Sequence, residues 1–295
     1  MVNILNKTDH DFVVLPCTED NTQHLLVIKK SFLLEENGTF SPAKNSPIST
    51  NETWKGEPFF SALENANECL VDPDVAIFIT GDFVPFQKIT MHSLSIALRQ
   101  KERTWQKDLK LYGKRSWQSV FKNYAAPLPI EKVSLDASAA FGGKQEEHYY
   151  PQNPAGKGYV KKGLTPFLPE LVDPQNEKFP VLLGPIPAAW KIGGGLPQEA
   201  VESFIHTGKL PHQPAAQKKT SSLLPPFQGG DMLLLKGFFP SPVECMLPSC
   251  NLSLVTETTQ IPFQYDTLHL DITTKVCSFL ARLVISEDTL GILSI

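Results

Sequence analysis

Proline, through where it falls, sets the strongest limit on how this chain folds. Of its 25 prolines, 16 lie between positions 151 and 248. Proline has no amide donor for a sheet ladder and holds φ near −65°. The stretch 151–248 therefore reads as a long connection rather than an unbroken run of strands. Its pieces, such as Tyr150-Pro151-Gln152-Asn153-Pro154, Leu168-Pro169-Glu170 and Leu183-Gly184-Pro185-Ile186-Pro187, still carry aliphatic and aromatic side chains. A mobile linker would be richer in Ser, Gly and charge, so this Pro/Gly-rich insert is expected to be ordered and packed onto sheets. One short helix is expected from Pro197 to His206, with Pro early and Ala200, Val201, Phe204 and Ile205 on one side.

Before the insert, and again near the end of the chain, the apolar residues recur with a period of two. His24 to Leu34, Lys88 to Gln100, Asp108 to Tyr112 and Lys132 to Ala137 read as strands before it, and Asp231 to Phe239, Asn251 to Glu257, Thr267 to Thr273 and Val276 to Ile285 towards the end. In Lys88 to Gln100 the apolar parity changes between Met91 and Leu94, which predicts a bulge near His92-Ser93. Ser286 to Ile295 is apolar enough for a short final strand or helix. The fold expected is mainly β, with antiparallel sheets in a sandwich-like or partly open barrel arrangement and at most a few short helices. Early and late strands share sheets in one β-rich unit over 1–295.

Charge and cysteine usage narrow the chemistry. Lys plus Arg is 27 against 31 Asp plus Glu, a net charge of −4, where a protein that coats duplex nucleic acid is usually basic. Lys101 to Lys122 holds seven basic and two acidic residues around Trp105, Tyr112 and Trp117, a pattern that strand faces and core tryptophans explain without nucleic acid. The five cysteines form no C-x-x-C pair, so reduced, mostly buried thiols and a cytoplasmic location are expected. No segment approaches the roughly 18 apolar residues of a membrane span, and the first residues form no secretory core. Neither G-x-S-x-G nor H-E-x-x-H occurs, Gly156-Lys157-Gly158 lacks the Ser or Thr of a phosphate loop, and Gly193-Gly194-Gly195 reads as a turn. His148 beside Glu146 and Glu147 reads as a surface loop, so no cofactor or metal is expected.

What stands out is a set of glycine and proline groupings: Tyr112 to Trp117 around Gly113, Ala140-Phe141-Gly142-Gly143, Asn153-Pro154-Ala155-Gly156-Lys157-Gly158, and Gly184-Pro185-Ile186. Glycine admits positive φ and proline fixes it, so such groupings specify loop shape. Shaped loops on a rigid scaffold are natural docking surfaces.

In this order, with Asp72-Pro73-Asp74 before them, Leu168 to Leu171 among them, and Gly229-Gly230-Asp231 and Arg282 after them, the groupings resemble a bacterial family first described as a domain of unknown function and encoded in type VI secretion clusters. The chain resembles a divergent member, with Leu280-Ala281 before Arg282 and Lys114 where the family commonly has an acid. The resemblance implies a non-catalytic cytoplasmic adaptor or chaperone. Such a protein binds a toxic effector and helps to load it onto the VgrG or PAAR spike. Trp117, Phe141 and Tyr159 are then the candidate aromatic anchors, with Arg115 and Lys157 as charged contacts. Gly113, Gly142, Gly143, Asn153, Pro154, Gly156, Gly158, Gly184 and Pro185 are assigned to loop shaping. The competing reading for Arg115 and Trp117 is that they brace the insert against a strand. At the level of the whole protein, the alternatives are a carbohydrate-active or other hydrolytic β protein and a structural β module of a secretion apparatus.

Overall fold

Alternating sequence at both ends of the chain builds one sheet. In the computed structural model, which describes residues 2–16, 22–69, 76–101, 103–146, 148–187, 190 and 226–294, the 12-residue strand Gln23–Leu34 runs antiparallel to Val276–Ser286. Gln23 stands opposite Ser286 and Leu33 opposite Val276. Asp11–Pro16 flanks this pair on one side, with Thr267–Asp271 and then Ala76–Thr80 on the other, while Phe40–Pro42 adds to the end of Gln23–Leu34. A second sheet has the order Leu171–Val172, Arg103–Tyr112, Met91–Gln100, Met232–Lys236, Val243–Met246. A third joins Asn3–Asn6, Leu290–Ser294, Ser253–Val255 and Gln260–Pro262. Early and late strands thus share sheets, and the final apolar stretch is a strand.

The two larger sheets meet through one apolar cluster. Leu26, Ile28, Ile79, Leu268, Leu270 and Phe279 come from the first, and Leu94, Ile96, Leu98, Leu109, Leu233 and Leu235 from the second. Each such side chain contributes about 1.5–3 kcal/mol by leaving water. The arrangement is sandwich-like, and no sheet closes into a barrel among the described residues. On Gln23–Leu34 the opposite face is also covered: Leu25 and Val27 pack with Cys69 and Leu280, and with the partly buried Ile48. A long loop crosses this outer face.

The expected antiparallel sheets form, while two expectations about single strands are corrected. Among the described residues three strand pairings are parallel, Asn3–Asn6 with Leu290–Ser294, Ala76–Thr80 with Thr267–Asp271, and Phe141–Gly142 with Lys157–Gly158. Parallel pairing needs a crossover, which the intervening chain supplies. There is no bulge at His92-Ser93: Met91–Gln100 pairs with Arg103–Tyr112 residue for residue, from Gln100 opposite Arg103 to Met91 opposite Tyr112. Leu94, Ile96 and Leu98 face the core, while Met91 stays on the outer face, 49% exposed. The alternation over Lys132 to Ala137 yields only Val133–Ser134 as strand. Asp136 ends it by accepting bonds from the Ser138 amide and hydroxyl at 2.9 and 2.6 Å, which starts a turn of 3-10 helix at Ala137–Ala139.

The described parts of the insert are packed. Asn153, Thr165, Glu170, Leu171, Val172, Val181 and Leu183 are buried, and Leu171–Val172 pairs with Arg103–Tyr112. Its last part carries Met232–Lys236 and Val243–Met246 of the second sheet. The helix expected at Pro197 to His206, the Gly193 to Gly195 turn and Asp72-Pro73-Asp74 lie outside the described residues. Among those described, no helix is long and apolar enough to cross a membrane.

Candidate functional site

Two of the glycine and proline groupings form one knot. Phe141–Gly142 lies in parallel register with Lys157–Gly158, and the Lys157 and Tyr159 amides donate to the carbonyl oxygens of Ala140 and Gly142. Asn153 is fully buried at the centre, where its Nδ2 donates to the Ala137 and Phe141 carbonyl oxygens at 2.8 and 3.0 Å. The backbone of Gly142 has φ +145°, and a Cβ there would sit 2.1 Å from the Asn153 carbonyl oxygen. Only glycine permits that approach. Gly143 and Gly156 close against each other, Gly158 lies over the Phe141 ring and Pro169, and Pro154 is buried beside Asn153. Gly113 sits apart on the Leu128 carbonyl, and Gly184-Pro185 lines a cleft.

Arg115 from outside the Pro-rich insert and Lys157 from within it both hold its 169–170 stretch. The Lys157 ammonium donates to Glu170 Oε2 at 2.7 Å, and Arg115 Nη2 donates to the Pro169 carbonyl oxygen at 2.9 Å. The Arg115 guanidinium also lies 4.1 Å from the centre of the Tyr112 ring and 3.9 Å from the Glu177 carboxylate. Glu170 is buried, with its amide donating to Ala139 and its carbonyl accepting from Tyr112. Both cations are thus engaged within the chain. Phe141 and Tyr159 flank Tyr150, with ring centres 5.2 and 5.6 Å from it. Trp117 belongs elsewhere, edge-to-face on Tyr124 at 5.3 Å.

Trp117 and Tyr124 form the base of a hairpin, Trp117–Gln118 against Asn123–Tyr124, whose tip holds the most exposed apolar side chains described: Val120 at 85% and Phe121 at 70%. The hairpin is braced by the segment 164–168, for the Trp117 amide donates to the Pro166 carbonyl, Tyr124 Oη donates to that of Thr165, and Ser116 bridges Phe167 in antiparallel sense. Leu164 and Phe167 on that flank are 59% and 55% exposed. Val120 and Phe121 escape the sequence reading because an adjacent Val-Phe pair looks like core. The signal was charge: residues 109–130 and 148–169 hold seven Lys or Arg and no Asp or Glu, in a chain of net −4.

A cleft of about 860 Å³ opens on the outer face of the first sheet, floored by Lys29, His269 and Ser278 and walled by the loop with Glu64 and Glu68 and by Gly184-Pro185. Three of its four carboxylates, Glu68, Asp136 and Asp271, are engaged by their neighbours. Glu68 accepts from Lys29 and the Ser49 amide, Asp136 from Lys55, Ser134 and Ser138, and Asp271 from the Thr273 amide. Burial would raise the Asp136 carboxyl, but the bonds from Lys55 and Ser138 outweigh it and hold the group below the usual carboxylate range. Burial lowers His269, whose Nε2 lies 2.8 Å from the Thr80 hydroxyl. Among the described residues no group of three or more His, Cys, Asp or Glu is placed to hold a metal ion.

Compared with known proteins, residues 19–282 match the model of one family, described as an uncharacterized protein conserved in bacteria (DUF2169). No curated protein and no solved structure matches the chain.

Proposed function

We propose, from the premise that this chain belongs to the DUF2169 family of proteins conserved in bacteria, that it is a cytoplasmic, non-catalytic adaptor or chaperone. In this reading it binds a type VI secretion effector and assists its loading onto the VgrG or PAAR spike. The observation that carries the reading is the braced hairpin, which holds Val120 and Phe121 in water at 85% and 70% exposure. Exposed apolar groups on a rigid support mark an interaction surface. Folding gains nothing from them, whereas burying them against a partner contributes about 1.5–3 kcal/mol for each side chain. The ordered groupings from Gly113 to Pro185 support the same assignment by resemblance.

The test is reconstitution. The tagged chain is expressed in its native host, and any toxin and spike proteins encoded beside its gene are quantified in the eluate against a bait with Phe121→Ser. Enrichment of the toxin with wild type and its loss with the variant are the expected results. No enrichment of toxin or spike protein by the wild type ends the adaptor reading. The cleft gives a hydrolytic reading one specific footing, its lining carboxylates, and turnover of a glycoside abolished by Glu64→Gln would establish that instead.

A further inference from the structure

We propose that the hairpin docks a protein surface that is itself apolar and rimmed with carboxylates. Val120 and Phe121 enter the partner, Leu164 and Phe167 line the contact, and Lys114, Lys122 and Lys162 meet the partner's acids. The proposal rests on the adaptor reading and adds the chemistry of the partner's face.

Charge carries the argument. Lys114, Lys122 and Lys162 are exposed, and among the described residues none of the three pairs with a carboxylate. Two acids of the adjoining insert are already engaged, Glu170 by Lys157 and Glu177 by Arg115. The two segments that build the surface contain no acid at all, although the chain carries 31. A local positive field around an apolar centre selects a negative rim and speeds encounter with it.

Other occupants fit less well. A second copy docking through the same face would set these lysines against one another. A nucleic acid would need roughly six to ten phosphate contacts for strong binding and open ring faces on which bases stack. Here five lysines have no carboxylate partner among the described residues, Lys110, Lys114, Lys122, Lys161 and Lys162, and the exposed rings of this surface are Phe121 and Phe167, for Trp117 and Tyr124 pack edge-to-face on each other. A bilayer has no fixed relief and needs no preformed shape. This hairpin is held in one shape by the Pro166 and Thr165 carbonyls, which favours a partner of complementary form.

Two measurements decide it. In the first, calorimetry follows binding of any purified toxin and spike proteins encoded beside the gene to wild type, Phe121→Ser, the triple variant K114E/K122E/K162E, and Lys7→Glu, just past the Asn3–Asn6 strand, as a control. Phe121→Ser is expected to weaken binding by about tenfold or more. The triple variant should weaken it at least as much and remove most of its salt dependence, while Lys7→Glu changes nothing. Equal binding by all four proteins overturns the proposal and leaves the adaptor reading standing.

In the second, a synthetic peptide alternating Asp with Phe and Leu, single-stranded DNA and phosphatidylglycerol vesicles are each titrated with the same four proteins. Binding of the peptide that is lost in Phe121→Ser and in the triple variant supports the proposal even where the neighbouring proteins fail to bind and the adaptor reading falls. Phe121-dependent binding of DNA or vesicles with no binding of the peptide overturns it.

Discussion

Lys29, on the long central strand, donates to both carboxylate oxygens of Glu68, at 2.7 and 2.9 Å, and so ties the sheet to the loop that crosses its outer face. Their side chains are only 5% and 13% exposed. Breaking a buried pair on one side leaves the other charge without compensation. Lys29→Met and Glu68→Leu are each expected to lower unfolding stability by about 3–5 kcal/mol, whereas K29M/E68L loses much less than the two together. Urea unfolding of the four proteins checks this; strict additivity would show that the pair does not act as a unit.

The knot around Asn153 separates strain from crowding. Gly142→Ala places a Cβ 2.1 Å from the Asn153 carbonyl oxygen at φ +145°, while Gly163→Ala, at φ +89°, meets nothing within 4 Å. Gly163→Ala is expected to cost about 1–2 kcal/mol from the left-handed backbone alone. Gly142→Ala should cost about 3 kcal/mol or more, because the neighbouring backbone must also move. Comparable losses in thermal unfolding would contradict the packing described.

Acid should loosen the cleft through His269. Burial depresses its folded-state pKa below that of the unfolded chain, so the unfolded state binds the proton first. The contribution is fully present above about pH 6.5, the unfolded value, and shrinks as pH falls from there towards the folded pKa. His10 is depressed in the same direction, also chiefly by burial. Thermal stability is therefore expected to decline below about pH 6.5, with a shallower decline in His269→Asn and the shallowest in H10N/H269N. An unchanged slope in the double variant would exclude this source.

The core thiols should be silent until the chain unfolds. Burial pushes Cys245 up to about 12 and Cys277 well above the usual thiol range, and the thiolate is the reactive form. Iodoacetamide is expected to leave both unmodified in the native protein and to modify both in denaturant, as mass spectrometry of peptides would show. Rapid native labelling of Cys277 would mean that the sheets part at that point.

Much of the fold lies in local pattern. The two-residue period marked the strands that became Gln23–Leu34, Met232–Lys236, Thr267–Asp271 and Val276–Ser286, because a half-buried strand must alternate to place one face inward. The same rule read a bulge into the strand holding Met91, since parity cannot distinguish a strand that changes faces from one that leaves a methionine in water.

Glycine and proline likewise identified the residues of the knot, because backbone conformation is a local property. Contact partners were decided only in three dimensions. Nothing local brings Asn153 to Ala137, Lys157 to Glu170 and Arg115 to the adjacent Pro169, or Ala76–Thr80 into parallel register with Thr267–Asp271. Charge along the chain marks the segment of Val120 and Phe121 as basic, but the exposure of the two side chains is set by what the rest of the chain brings beside them. Period and conformation belong to neighbours along the chain, whereas burial and pairing are settled by residues far apart, through the competition of all segments for one interior.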